Sequence, residues 1–301
     1  MNKKSFLKRG IQMYKIENYK GSVRFGSLYS EIHGFLQTAA DKGFNEHFHW
    51  GRFDWMMTHP FLDADMLSKN AVFRDESGRI VGAALFDTDF DDRWYILHST
   101  DDEELLRCMI GYANGSDTGS AAIKANLGDR SLCTLLDSMG FKKQYSEKVL
   151  QIDLSGDLSY SMPNGFGISS PDEEINNRQW KLVIHRGFNN EGEPEESSGD
   201  IKEAEKHLEN SQYIKVFAVN NGEYTAHCGV WYGGGDTAYI EPVATVPEHR
   251  GKGLGKAVVY EALNRAKKRG AKRAVVLSDQ EFYFRIGMTV SSEFGTWSKD
   301  K

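Results

Sequence analysis

Two stretches of the chain carry the same rhythm of apolar and polar positions. From Ala71, AVFRDESGRIVGAALFDTDFDDRWYILHS reads as a strand, a turn at Glu76-Ser77-Gly78, a strand, a polar link and a third strand. From Val216, VFAVNNGEYTAHCGVWYGGGDTAYIEPVA repeats that order, with its turn at Asn220-Asn221-Gly222. Seventeen positions separate Gly78 from Tyr95, and seventeen separate Gly222 from Tyr239. In each half a helix-like stretch and a small turn follow, Met139-Gly140-Phe141 in one and Ile286-Gly287-Met288 in the other. The pattern predicts two copies of one α+β unit. SGDLSYSMPNGFG, rich in turn formers after the strand-like KVLQIDL, marks the join. The expected division is a tail over 1–12, with Met13 as an alternative start, one domain over 13–160 and a second over 161–301.

A chain of 301 residues is long enough for two domains of about 150. With 40% hydrophobic and 27% charged residues it belongs with folded globular proteins rather than disordered ones. The net charge of −6 gives no basic excess for nucleic acid, and no apolar run reaches the roughly 18 residues of a membrane span. Three scattered cysteines, Cys108, Cys133 and Cys228, have no CxxC spacing, which suits a reducing cytoplasm. Charge is uneven within the second half: residues 161–241 sum to −8 and residues 242–301 to +6. Anion binding is therefore expected near the C-terminus, and attraction of cations near the middle, where the run Glu191 to Glu196 reads chiefly as a solvated loop.

The basic end contains the segment richest in chemistry. A strand through Val243 stops at Pro247, the turn Arg250-Gly251-Lys252-Gly253-Leu254-Gly255 follows, and a helix begins with Lys256 in its first turn. Glycines let successive N–H groups converge on one anion, and the helix N-terminus adds roughly half a positive charge. The arrangement suits a pyrophosphate, with Arg250, Lys252 and Lys256 available for charge-assisted contacts. A P-loop is excluded, because Arg250 stands where its first glycine belongs and Ala257 where its Ser or Thr belongs. The dinucleotide fingerprint also fails, since Lys256 or Val258 occupies its third glycine position.

RGKGLG, read as R/Q-x-x-G-x-G/A after a strand ending V-x-x-x-P, resembles the acyl-CoA loop of the GNAT superfamily of N-acyltransferases. FYFRIGM resembles that superfamily's Y-x-x-x-G-F ending, with Met288 in place of the aromatic and SDQEF where an asparagine is frequent. The resemblance covers about 161–301 by motif and the first half by topology. It implies two GNAT-like domains, each a mixed twisted sheet flanked by helices. It also implies that Val243, Ala244 and Thr245 offer backbone partners to pantetheine and the acyl carbonyl, and that the loop from Arg250 to Lys256 holds the pyrophosphate.

The resemblance further implies acetyl-CoA as co-substrate and direct attack of an amine on its thioester. Glu241 is the candidate base, alternatively a strand-end carboxylate facing solvent or in a salt bridge, with a water chain as the other candidate base; Tyr283 is the candidate acid, alternatively an aromatic packed beside the cofactor. The first half has the acids Asp101 to Glu104 where the glycine loop would stand and Leu136 at the tyrosine position, so it reads as a degenerate copy that helps build the cleft. HFHWGRFDWMMTHP, from His47 to Pro60, lacks metal-ligand spacing and reads as a packed helix face, or alternatively as the lining of an acceptor pocket; no metal is expected. The expected activity is acetyl transfer to a primary amine of a small, cationic acceptor, without nucleic-acid or membrane partners. A non-catalytic acyl-CoA-binding sensor is the rival.

Overall fold

The computed structural model describes residues 14–20, 24–40, 45–59, 62–86, 93–115, 121–194, 206–207 and 212–299. The expected tail over 1–12, Met13, Pro60, and the end of the acidic run with the serines and glycine after it lie outside these residues. The chain forms two compact units: 1–48, 62–146 and 294–301 in one, 49–61 and 147–293 in the other.

In the first unit the strands run in the order β1 (Lys15–Asn18), β2 (Ala71–Arg74), β3 (Ile80–Phe86), β4 (Arg93–His98), β5 (Ala122–Asn126) and then the end of β12 (Thr289–Ser298). All neighbours are antiparallel except β4 and β5. The parallel pair requires a crossover, supplied by α4 (Glu103–Gly115), whose Leu105, Leu106, Met109, Ile110 and Ala113 are buried at helical spacing. α1 (Ser27–Ala40) and α5 (Arg130–Ser138) complete the helices beside the short α3 (Ala64–Leu67). Asp129 caps α5 by accepting from the Leu132 N–H at 3.0 Å. The core gathers Phe73, Phe86, Trp94, Ile96 and Trp297.

The second unit repeats this plan with β7 (Phe166–Ile168), β8 (Tyr213–Asn220), β9 (Glu223–Trp231), β10 (Thr237–Thr245), β11 (Arg273–Leu277) and the end of β6 (Lys142–Asp153). Again one pair is parallel, β10 with β11, and α7 (Leu254–Lys268) makes the crossover. α6 (Asn177–Gly187), α8 (Glu281–Arg285) and α2 (Trp50–Thr58) pack with it. The β8–β9 hairpin turns on Asn221 and Gly222 at φ 49° and 82°, the left-handed pair that a tight two-residue hairpin requires. The repeated small turns close identically: Phe141 N–H donates to Leu136 O and Met288 N–H to Tyr283 O, both at 3.0 Å, around left-handed Gly140 and Gly287.

Each sheet also takes a strand from the other half of the sequence. Phe294–Trp297 pairs with Ile123–Asn126 in the first unit, and Val149–Asp153 pairs with Arg273–Leu277 in the second. Residues 49–61 likewise belong to the second unit, although they precede its main segment by about ninety positions.

Candidate active site

β10 is the strand from which the site is built. On one side it pairs with β9 along its length, with a bulge between Ile240 and Val243. On the other side its pairing with β11 covers only Thr237, Ala238 and Tyr239, while β11 runs on beside β6 to Leu277. Beyond Tyr239 the two strands part, and among the described residues the stretch carrying Val243, Ala244 and Thr245 has no strand partner on that side. The bulge is closely packed from behind: a Cβ on Gly229 would lie 2.5 Å from the Glu241 carbonyl, which already accepts from Trp231 Nε1 at 2.9 Å. The strand is thus fixed at the point where it leaves its neighbour.

A short 3₁₀ turn, Pro247–His249, leads into the glycine loop. Gly251 and Gly253 have φ values of 76° and 85°, which only glycine adopts without strain. An added Cβ at either would meet nothing within 4 Å, so backbone conformation rather than space accounts for both glycines. Gly253 is the N-cap of α7 and no side chain caps that end, leaving it suited to an anion. Leu254 is buried in the core and offers the loop only its backbone. At Gly255 an added Cβ would sit 3.2 Å from the Phe282 ring, so the helix start lies tight against α8.

The loop cations differ in their partners. Arg250 donates from Nε to Thr245 O at 3.0 Å and from Nη2 to Gly187 O at 2.8 Å, tying the end of α6 to the end of β10. Gly187 permits that approach, because a Cβ there would lie 2.6 Å from Ala244 Cβ and 3.2 Å from Thr245 N. Lys252 Nζ lies 2.9 Å from His249 Nδ1, and Lys256 Nζ lies 4.8 Å from the centre of the Tyr260 ring.

Tyr283, on α8, is 7% exposed; burial raises its phenol above the ordinary tyrosine range, and the charges of Cys228 and Glu241 add to the effect. A tyrosine in that state keeps its proton at neutral pH. The Glu241 side chain is 20% exposed, with Oε1 2.5 Å from Arg52 Nη1 and Oε2 accepting from Tyr239 O–H at 2.7 Å. Glu241 contributes to the field felt by the Tyr283 phenol, so the two residues lie within electrostatic range of one another.

Arg52 is the residue that spacing did not indicate. It lies on α2, whose backbone closes on β9 and β10 at Gly51: a Cβ there would be 2.6 Å from Trp231 Cβ and 2.9 Å from Tyr239 Cδ1. His49, the N-cap of α2, stacks on Tyr239 with centroids 5.0 Å apart and planes 16° apart. Trp50 meets Trp231 edge-on at 6.3 Å. The aromatic pattern of His47 to Pro60 predicted a packed helix face, and the aromatic neighbours of Arg52 seat it against Glu241. Buried His227 on β9 is spent on structure: Trp180 Nε1 donates to its Nε2 at 3.2 Å and its Nδ1 faces Val216 O at 3.1 Å. Burial lowers its pKa to about 3, so it stays neutral.

Comparison with known proteins agrees with this geometry. The acetyltransferase (GNAT) family profile matches residues 176–288, a span that runs from the N-cap of α6 through the glycine loop to Met288. That segment is the chain's GNAT acetyltransferase domain. A tandem GNAT protein from the clavulanic acid biosynthesis pathway, in a structure without AcCoA, superposes with a TM-score of 0.59 at 12% identity, covering 95% of this chain and 98% of that one. A GCN5-related N-acetyltransferase from Sphaerobacter thermophilus gives 0.54 at 12% identity over 95% of each chain, and one from Kribbella flavida gives 0.52 at 14% identity over 74% of this chain and 88% of that one. At these identities the superpositions establish the fold. No curated protein matches by sequence.

Both units have the GNAT plan, and they differ where the anion cradle stands. The helix after the fourth strand of the first unit, α4, is capped by its own acid: Asp102 Oδ1 accepts from the Glu104 and Leu105 N–H groups at 2.8 and 3.0 Å. Those donors are occupied, and Asp101, Glu103 and Glu104 surround them with negative charge. The corresponding GNAT helix of the second unit, α7, begins at the uncapped Gly253. Among the described residues no group of three or more His, Cys, Asp or Glu is placed to hold a metal ion, and no helix is long and apolar enough to cross a membrane.

Proposed function

We propose that this acyltransferase moves an acetyl group from acetyl-CoA to a primary amine of a small, cationic acceptor in the cytoplasm, without a metal and without nucleic-acid or membrane partners. The observation carrying the proposal is the parting of β10 from β11 after Tyr239, directly upstream of an uncapped glycine turn at the start of α7. An extended pantetheine arm suits the edge at Val243, Ala244 and Thr245 that faces away from β9, where Arg250 takes the Thr245 carbonyl and leaves the other backbone groups to the arm. The N–H groups of the turn from Gly251 to Lys256 suit a pyrophosphate, with Lys252 and Lys256 adding charge and Arg250 holding the turn in place. The residues therefore fit acetyl-CoA, which supplies the acetyl thioester and a thiolate leaving group.

The chain's own residues then have three tasks. Backbone N–H groups at the β10 opening hold the acyl carbonyl oxygen as negative charge develops on it. Glu241 takes a proton from the incoming ammonium, directly or through water, so that nitrogen has a lone pair to form the new C–N bond. Tyr283 gives its phenolic proton to the sulfur as the C–S bond breaks, and the second proton, shed by the nitrogen as the amide forms, returns through water to the phenolate; the elevated phenol pKa keeps Tyr283 protonated between turnovers. The first unit is the degenerate copy, because Asp102 occupies the helix end that would otherwise face a pyrophosphate.

The alternative, an acyl-CoA-binding sensor, draws on Glu241 having both carboxylate oxygens engaged by Arg52 and Tyr239. Thiol release from acetyl-CoA against a panel containing a diamine, a polyamine, an amino sugar and a lysine peptide separates the two. Release dependent on one of these amines is expected; binding of acetyl-CoA with only background release would establish the sensor.

A further inference from the structure

We infer that Arg52 is a positioning residue for acetyl transfer: from a helix encoded 189 positions upstream, it sets the carboxylate of Glu241 at the opening of β10. The inference rests on acetyl transfer being the reaction of this site. Three observations carry it. The Arg52 side chain is 6% exposed and reaches Glu241 Oε1 at 2.5 Å, while Tyr239 O–H holds Oε2 at 2.7 Å, so each carboxylate oxygen is fixed by a donor on a different element. Tyr239 is itself held under the stacked ring of His49, which caps the helix carrying Arg52. Gly51, the residue before Arg52, lies where the Trp231 and Tyr239 side chains leave no room for a Cβ, and Trp231 holds the Glu241 carbonyl. Helix, ring, indole and carboxylate thus form one closed set of contacts around a single glutamate.

A glutamate side chain at a strand bulge has three rotatable torsions and, without partners, would sample several orientations. A carboxylate offers about four acceptor positions, and two donors in fixed directions set the plane in which the others lie. The guanidinium also lets a carboxylate so little exposed remain ionised, the state in which it accepts a proton. Arg52 would act on the reaction through Glu241, with no contact of its own to the reacting atoms.

The test uses the full chain, acetyl-CoA and the primary amine of the panel above that releases thiol fastest. Arg52→Met is expected to lower kcat by about 10- to 100-fold, the scale of a misplacement near 1 Å, with KM for acetyl-CoA and calorimetric CoA affinity unchanged. Arg52→Lys is expected to recover most of kcat. In the Glu241→Gln background, Arg52→Met is expected to add no further loss, because residues acting as one unit are not additive. A double variant slowed by the full Arg52→Met factor beyond Glu241→Gln would overturn the inference, as would an unchanged kcat in Arg52→Met. If Arg52→Met does not fold, Arg52→Gln replaces it in the same cycle: a full additional loss in the Glu241→Gln background, or an unchanged kcat in Arg52→Gln alone, overturns the inference. A fully active Glu241→Gln would remove the positioning role and leave acetyl transfer standing, whereas a wild-type chain releasing no thiol with any amine would remove the reaction itself.

Discussion

Replacing Gly253 by alanine isolates one physical quantity. The residue has φ 85° and ψ −2°, and a Cβ built on it meets no heavy atom within 4 Å, so the substitution adds no clash. What it adds is the cost of a left-handed backbone for an L-residue, about 1–2 kcal/mol. That cost must appear in one of two places. If the substituted alanine keeps the glycine conformation, the folded state loses about 1–2 kcal/mol and melting falls by about 2–4 °C per kcal/mol. If the turn relaxes instead, its N–H groups turn away, and restoring them on binding weakens acetyl-CoA by about 5- to 30-fold. Calorimetric titration with acetyl-CoA and thermal melting on the same sample measure both, and the two losses together should reach about 1–2 kcal/mol. Gly34→Ala is the control: it lies in the interior of α1 with nothing within 4 Å, and should raise stability by about 0.5–1 kcal/mol. Unchanged affinity together with unchanged melting in Gly253→Ala would refute the reasoning.

Tyr283→Phe keeps the packing of α8 and removes the proton donor, so kcat should fall by about 100-fold or more with KM for acetyl-CoA unchanged; equal loss of CoA affinity would point to packing instead. In the first unit, burial alone would lower the His98 pKa, but Asp129 at 2.5 Å from Nε2 and the Thr100 carbonyl on Nδ1 raise it overall. A raised folded-state value stabilises below the ordinary histidine pKa and is lost as pH climbs through the raised one, so melting should fall as pH rises above the ordinary histidine range of about 6.5. Asp129→Asn should flatten that dependence, and an unchanged slope would show that another group sets it. A chain cut to 161–301 loses Val149–Asp153 beside β11 and all of α2, and should be poorly soluble and fail to bind acetyl-CoA; full-chain affinity in that fragment would contradict the strand exchange.

The repeat and the glycine turn could be read in the sequence because both are local. Strand alternation, the Asn-Gly hairpin and the Gly140 and Gly287 turns depend on residues a few positions apart, and the same holds for a helix start after Gly253. Partner choice is not local. KVLQIDL has the pattern of a strand, but nothing in it says that its edge will meet β11, whose own sequence is just as apolar. The ion pair of Arg52 with Glu241 is hidden for the same reason: it depends on α2 closing against Trp231 and Tyr239 through Gly51, a contact between segments about 190 positions apart. Arg250 shows a different limit. Its place in a basic glycine loop suggests a phosphate ligand, yet two backbone carbonyls take its Nε and Nη2, a demand created by the end of α6 approaching β10.

The central claim is that one unit of two equivalent folds binds acetyl-CoA, and that it does so at the turn beginning α7. The stoichiometry of acetyl-CoA binding by calorimetry tests this most directly. One molecule per chain is predicted, with affinity lost in the double variant Gly251→Val/Gly253→Val and retained in Asp102→Ala, which uncaps α4 of the first unit. Two molecules per chain, or one that survives the loop variant, would contradict the account.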